Sequence, residues 1–285
     1  MKNMKKIWAM LLALTMILSL AACGSKKETP AAEEKPAAEQ PAETPAEEPA
    51  ADSEVAAIQS KGTLVVGITD FAPMDYKDAD GNWIGFDADM AKAFAESLGV
   101  AVEFVEIDWD NKVLELNSQA IDCVWNGMTL TDDIMQNTAC TKPYAKNAQV
   151  IVMKADAAYT STADLADKTL VAEAGSAGEG AISADENLAK AEYVSKSVQT
   201  DCLMEVAAGT ADAAVLDLTL ATAMIGEGTD YANLVIKDEL NAEEYGVAFR
   251  KGSDVPAAVN EAFDALKADG TMDKLAQKYS LTLAD

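Results

Sequence analysis

Apolar runs and four-residue apolar recurrences alternate along the chain from Lys61 onward. Leu64-Val-Val-Gly-Ile68 reads as a buried strand, and Asp78-Ala-Asp80-Gly81 as the turn of a hairpin-like excursion. Phe86, Met90, Phe94 and Leu98 recur every four residues, the buried stripe of a helix that opens at Gly85-Phe86-Asp87 and ends at Gly99. Asp87 and Asp89 fall in its first turn, where the helix dipole favours acids. Residues 101–107 alternate Val102 and Phe104 against Glu103 and Val105, a further strand. A helix over residues 110–118 follows, and then the short apolar run Cys123-Val-Trp125 stops at the turn signal Asn126-Gly127. This succession is the doubly wound α/β pattern, in which ligands sit at the carboxyl ends of the strands.

The pattern then repeats. Residues 145–153 form a long strand leading out of the first unit, with Lys146 and Asn147 either exposed beside it or facing a cleft. Ser161 or Thr162 caps a short helix reaching Leu165. Residues 169–173 form a strand that runs into Ala174-Gly175-Ser176-Ala177-Gly178, a glycine-bearing strand-to-helix turn whose N–H groups can face an anion. Its spacing does not fit the dinucleotide fingerprint, and no lysine follows as a P-loop requires. Tyr193-Val194 is a strand, and residues 198–208 a helix ended by Gly209. After Asp212, a turn residue, a strand ending at Asp217 leads into a helix over 218–225, so Asp217 is either that helix's cap or a cleft carboxylate. Residues 245–249 return to the first unit, and helices over 256–268 and 272–279 close the chain. Two crossings give two lobes with a hinge: residues 55–144 and 246–285 in one lobe, 149–241 in the other, and 145–148 with 242–245 between them.

The amino-terminal part reads differently. Lys2, Lys5 and Lys6 precede an apolar run over residues 7–20, too short for a span of about 20 residues. The run ends in Leu20-Ala21-Ala22-Cys23-Gly24, which looks like a bacterial lipobox. Residues 1–22 are therefore expected to be a signal peptide, and Cys23 the lipid-bearing (palmitate) amino terminus. Residues 23–54 hold five of the eight prolines among alanines and glutamates, with no apolar periodicity. Such a segment buries too little surface to offset its ordering entropy and acts as a tether.

The chain has 285 residues, with 22 Lys and Arg against 48 Asp and Glu and a net charge of −26. That balance excludes the basic surface that nucleic-acid binding needs. The chain has no histidine, which removes histidine-based triads, general bases and metal ligands. Cys23, Cys123, Cys140 and Cys202 match no zinc spacing, and neither a metal nor a cofactor is expected.

Six segments in order, KGTLVVGIT, APMDY, DGNWIGFDADMAKAFAESLG, VEFVEIDW, AIDCVWNGMTLT and KPYAKNAQVIV, resemble the family 3 (polar amino-acid) solute-binding proteins of bacterial ABC importers. The resemblance runs from about Ser60 to the carboxyl terminus. It implies a two-lobed, periplasmic-binding-protein-like (type II) α/β fold, each lobe a doubly wound mixed sheet joined to the other by a two-strand hinge. It also implies a ligand between the lobes, met by Phe71, Trp109, Asn126, Gly127, Met128, Thr129, Ser176 and Asp217. In this family the two aromatics enclose the ligand, the Gly-Ser turn meets its carboxylate, and the aspartate meets its ammonium; Trp125 is core. The family's carboxylate-binding arginine has no counterpart, because Ile134 stands in its place. Cys123 and Cys140 occupy apolar positions of the family pattern and are expected to be free thiols. The implied protein is not an enzyme and is monomeric. It is held on the extracytoplasmic face of the cell membrane by lipid alone, and delivers a small amine-bearing solute to permease subunits. A dehydratase-like enzyme on the same fold and a sensory or adhesive lipoprotein are the alternatives.

Overall fold

The computed structural model describes residues 53–285. The expected signal peptide, Cys23 and all but the end of the tether lie outside the described residues. The first element is helix α1 (Glu54–Lys61), capped by Ser53. It begins at the last position read as tether, because Glu54 pairs with Arg250 and the backbone N–H of Glu54 donates to Asp254.

Strand β1 (Thr63–Ile68) is followed by a hairpin of β2 (Tyr76–Lys77) and β3 (Trp83–Ile84). Helix α2 (Phe86–Ser97) carries the expected stripe: Phe86, Met90 and Phe94 are buried and Leu98 packs against them. Then come β4 (Ala101–Glu106), a 3-10 turn at Trp109–Asn111, α3 (Lys112–Asn117), β5 (Cys123–Thr129), α4 (Asp132–Asn137) and β6 (Ala139–Cys140). Strand β7 (Ala145–Lys154) leads into the second lobe. There follow β8 (Thr169–Glu173), α5 (Ala177–Ala184), β9 (Glu192–Lys196), α6 (Gln199–Ala208), β10 (Ala213–Asp217) and α7 (Leu218–Met224). Strand β11 (Leu234–Phe249) runs back, and α8 (Val255–Ala268) and α9 (Thr271–Tyr279) pack on the first lobe.

The strands lie in the order β4-β1-β5-β11-β7-β10-β8-β9. β1 is parallel to β4 and β5, and β8 is parallel to β9 and β10. The antiparallel pair β7 and β11 joins these two parallel groups, from Leu234 opposite Lys154 to Tyr245 opposite Ala145. This is the two-lobed architecture with two crossing strands.

Three local features go beyond or against the sequence reading, each with a physical cause. Asn126-Gly127 is not a turn: β5 continues to Thr129 with its extra residues bulged against β11. Asn126 instead accepts from the Thr69 backbone N–H (2.7 Å) and donates to the Thr69 hydroxyl (3.0 Å), fixing the loop after β1. Asp87 lies in the first turn of α2 as expected, and it has a further role. It is buried and accepts from the Gly127 N–H (2.6 Å) and the Tyr144 hydroxyl (2.7 Å). Strand β11 begins eleven residues before the expected 245, because polar residues alternate along its first part on a strand with one face exposed. Cys123, Cys140 and Cys202 are free thiols. Among the described residues no helix is long and apolar enough to cross a membrane.

Candidate functional site

The ends of β5, β8 and β10 and the loop after β1 face one cavity of about 1320 Å³ between the lobes. Phe71, Trp109, Asn126, Gly127, Met128, Thr129, Ser176 and Asp217 all line it. Gly127 has a positive φ of 56°, and a Cβ there would come within 2.5 Å of the Phe71 ring. Glycine thus lets the aromatic lie against the strand. Trp109 has one cation already beside it, the Lys112 Nζ at 4.9 Å from the ring centre. Ile134 packs with Trp109 and Met128 in an apolar cluster on the same wall.

Asp217 ends β10 and precedes α7, but its side chain makes no cap to that helix. Its carboxylate turns into a buried network instead. Oδ1 accepts from Gln149 Nε2 (3.0 Å), the Tyr245 hydroxyl (2.8 Å) and Asn147 Nδ2, while Oδ2 accepts from Gln199 Nε2. Asn147 Nδ2 and Gln149 Nε2 also donate to Glu243 Oε1 (2.7 and 2.8 Å), as does the Thr129 hydroxyl (2.8 Å). The strand register explains the convergence. Asn147 lies opposite Glu243, and Gln149 lies opposite both Asn241 on β11 and Asp217 on β10. Side chains two residues apart on a strand share a face, so Asn147 and Gln149 on one crossing meet Glu243 and Tyr245 on the other. That period-two pattern is the one signal in the sequence for these four. Nothing there points to Gln199 or Glu173.

The electrostatics are one-sided. Asp133, Glu173, Asp185, Asp217, Glu243 and Glu244 line the cavity against Lys112 and Lys146. Both lysines are committed: Lys112 to the carbonyls of Gly175 (2.7 Å) and Trp109 (3.1 Å), spanning the lobes, and Lys146 to Asp285 (2.9 Å). The chain's single arginine, Arg250, pairs with Glu54 and Asp122 outside the cavity. Burial pushes the Asp217 carboxyl up to about 8, and the nearby Glu243 charge adds to the effect. Burial also raises Glu173 to about 8, with the Asp217 charge contributing and Lys112 opposing. Burial pulls Lys112 down, while Glu173 and Asp110 favour its charged form. The Ser176 hydroxyl caps α5 by accepting from the Glu179 N–H (3.2 Å). Among the described residues no group of three acidic or cysteine side chains is placed to hold a metal.

These raised carboxyl values set a pH dependence. Between about pH 4 and 8 the folded state binds more protons at Asp217 and Glu173 than the unfolded chain does. Their contribution to stability is full below the unfolded carboxyl range and is lost as pH rises through about 8. One pKa unit corresponds to about 1.4 kcal/mol, or roughly 2–4 °C of midpoint for a chain of this size. Thermal unfolding of the ligand-free protein should therefore shift down between pH 5.5 and 8.5, and Asp217→Asn or Glu173→Gln should shrink that fall. An unchanged slope in both variants contradicts the assignment.

The family model described as bacterial extracellular solute-binding proteins, family 3, matches residues 64–282. The arginine-binding extracellular protein ArtP of Bacillus subtilis is 31% identical over 224 residues, covering 77% of this chain and 86% of that protein. The histidine-bound substrate-binding protein of a Streptococcus pneumoniae ABC uptake transporter superposes with a TM-score of 0.73 at 29% identity, over 81% of this chain and 97% of that one. The ancestral amino acid-binding protein AncCDT-1, a precursor of cyclohexadienyl dehydratase, gives 0.73 at 35% identity over 80% and 99%. By the extent of the family match and the shared two-lobed fold, this chain belongs to the bacterial extracellular solute-binding proteins, family 3.

Proposed function

We propose that this protein is a monomeric, lipid-anchored receptor on the extracytoplasmic face of the cell membrane. It captures a small amine-bearing solute, an amino acid or a derivative, and delivers it to the permease subunits of an ABC importer. Residues 55–144 with 246–285 and residues 149–241 close on the solute about a hinge at 145–148 and 242–245. A ligand bridging both lobes favours the closed state by its differential affinity for it. The relatives' printed names, an arginine binder and a histidine-bound receptor, support this reading.

The observation that carries it is the placing of Asp217. A buried carboxylate at a strand end, declining its helix cap and lining the cleft, is a partner for an ammonium group. The aromatic faces of Phe71 and Trp109 add a cation–π contribution of roughly 0.5–2 kcal/mol. A second reading, catalysis in the same cleft, draws on Glu173 and Asp217 holding protons near neutral pH and on the likeness to a dehydratase precursor. Recovery of the bound solute unaltered after prolonged incubation separates the two.

Titration calorimetry of the full chain over amino acids, their amides and their decarboxylated amines tests the ligand class. Hydrogen bonds to charged groups contribute about 1.5–3 kcal/mol, so Asp217→Asn should weaken the best ligand by about tenfold to a hundredfold. Equal affinity in the variant sinks the amine reading. Mass spectrometry of the native membrane fraction tests the anchor: Cys23 should be the mature amino terminus and carry lipid. A Cys23→Ala form that is cleaved at the same bond and stays membrane-bound contradicts it.

A further inference from the structure

Glu173 has no part in the ligand contacts that the sequence implies. It ends β8, is 3% exposed, and lines the cleft. Its Oε1 is buried and has no hydrogen-bond partner. Buried carboxylate oxygens are ordinarily satisfied, and an unmet one costs its desolvation. Among the described residues, neither lysine lining the cleft hydrogen-bonds it. Lys112, the cation whose charge acts on Glu173, spends its Nζ on two backbone carbonyls, and Lys146 holds Asp285.

The cleft is also poor in groups that could receive a carboxylate. The Gly127 N–H is taken by Asp87. At the Gly-Ser turn the Gly175 N–H donates to Glu179 Oε2 at 2.6 Å, so an internal carboxylate already occupies that donor. The Thr129 hydroxyl donates to Glu243, and Ile134 offers no charge. An unmet carboxylate oxygen on a lining rich in acids complements a ligand made of donors and positive charge.

We propose that the cleft takes an organic diamine, a dication without a carboxylate, with one ammonium held at Asp217 and the second at Glu173. This rests on the reading of Asp217 as the amine partner. An empty cleft avoids two buried negative charges by keeping protons on these acids, in line with their raised values. The arriving dication replaces those protons and satisfies Glu173 Oε1. A single amine leaves that oxygen unmet, and an amino acid brings a carboxylate to a lining dominated by acids, with Ile134 in the place of a cation.

The test is calorimetry of the full chain with 1,3-diaminopropane, putrescine and cadaverine, against the single amines of matching length and against ornithine and lysine. At least one diamine should bind about tenfold to a hundredfold more tightly than its single-amine counterpart, the factor that one charged hydrogen-bonding group contributes. Glu173→Gln keeps the shape of the side chain and should remove that preference while changing single-amine binding less than about threefold. An undiminished preference in the variant overturns the proposal. So does equal binding of mono- and diamines, or tighter binding of ornithine and lysine than of putrescine and cadaverine. If no amine binds, or if Asp217→Asn leaves amine binding unchanged, the amine reading itself falls and takes this one with it. If amines bind through Asp217 without a diamine preference, only the role of Glu173 falls.

Discussion

The antiparallel pairing of β7 with β11 is the constraint on which the rest depends. It is the seam that joins two parallel groups of strands, and its register decides which side chains meet at the cleft floor. Asn147 sits opposite Glu243, and Gln149 opposite Asp217 on its other side. A slip of one residue on β7 would turn both amides to the opposite face and leave the buried Asp217 and the half-buried Glu243 without their shared donors. Burying acids is costly unless donors accompany them. Here the donors arrive by strand period, and the raised pKa of Asp217 marks the cost that remains.

A second consequence concerns what the cleft has to offer. Asp87 and Glu179 each accept the backbone N–H of a glycine that lines the site, Gly127 and Gly175. Lys112 reaches from α3 to the Gly175 carbonyl and so ties one lobe to the other. What remains facing the cavity is mostly acceptor. This one-sidedness arises from the fold's internal bonding as much as from composition, since the overall negative charge alone says nothing about which donors are free.

Much of the frame is legible in the sequence. The stripe of α2, the strand Thr169–Glu173 and the helix ended by Gly209 carry strong local periodicity and caps, and they appear where those signals place them. At Asp217 the local pattern leaves a helix cap and a cleft carboxylate open, and the family resemblance is what favours the second. The polar first part of β11 is not legible, since its residues alternate without an apolar core face strong enough to read. Asn126-Gly127 misleads for a definite reason: a bulge and a turn ask the same backbone freedom of the same two residues. Glu173 and Gln199 lie on elements that meet Asp217 only through tertiary packing, so no local pattern names them.

The central claim is that buried, proton-holding acids receive a cation. Calorimetry of amine binding near pH 7 in two buffers of different ionisation enthalpy counts protons directly. The account predicts net proton release, because the cation returns Asp217 and Glu173 to their ionised forms. Binding heats independent of the buffer, or net proton uptake, would contradict it.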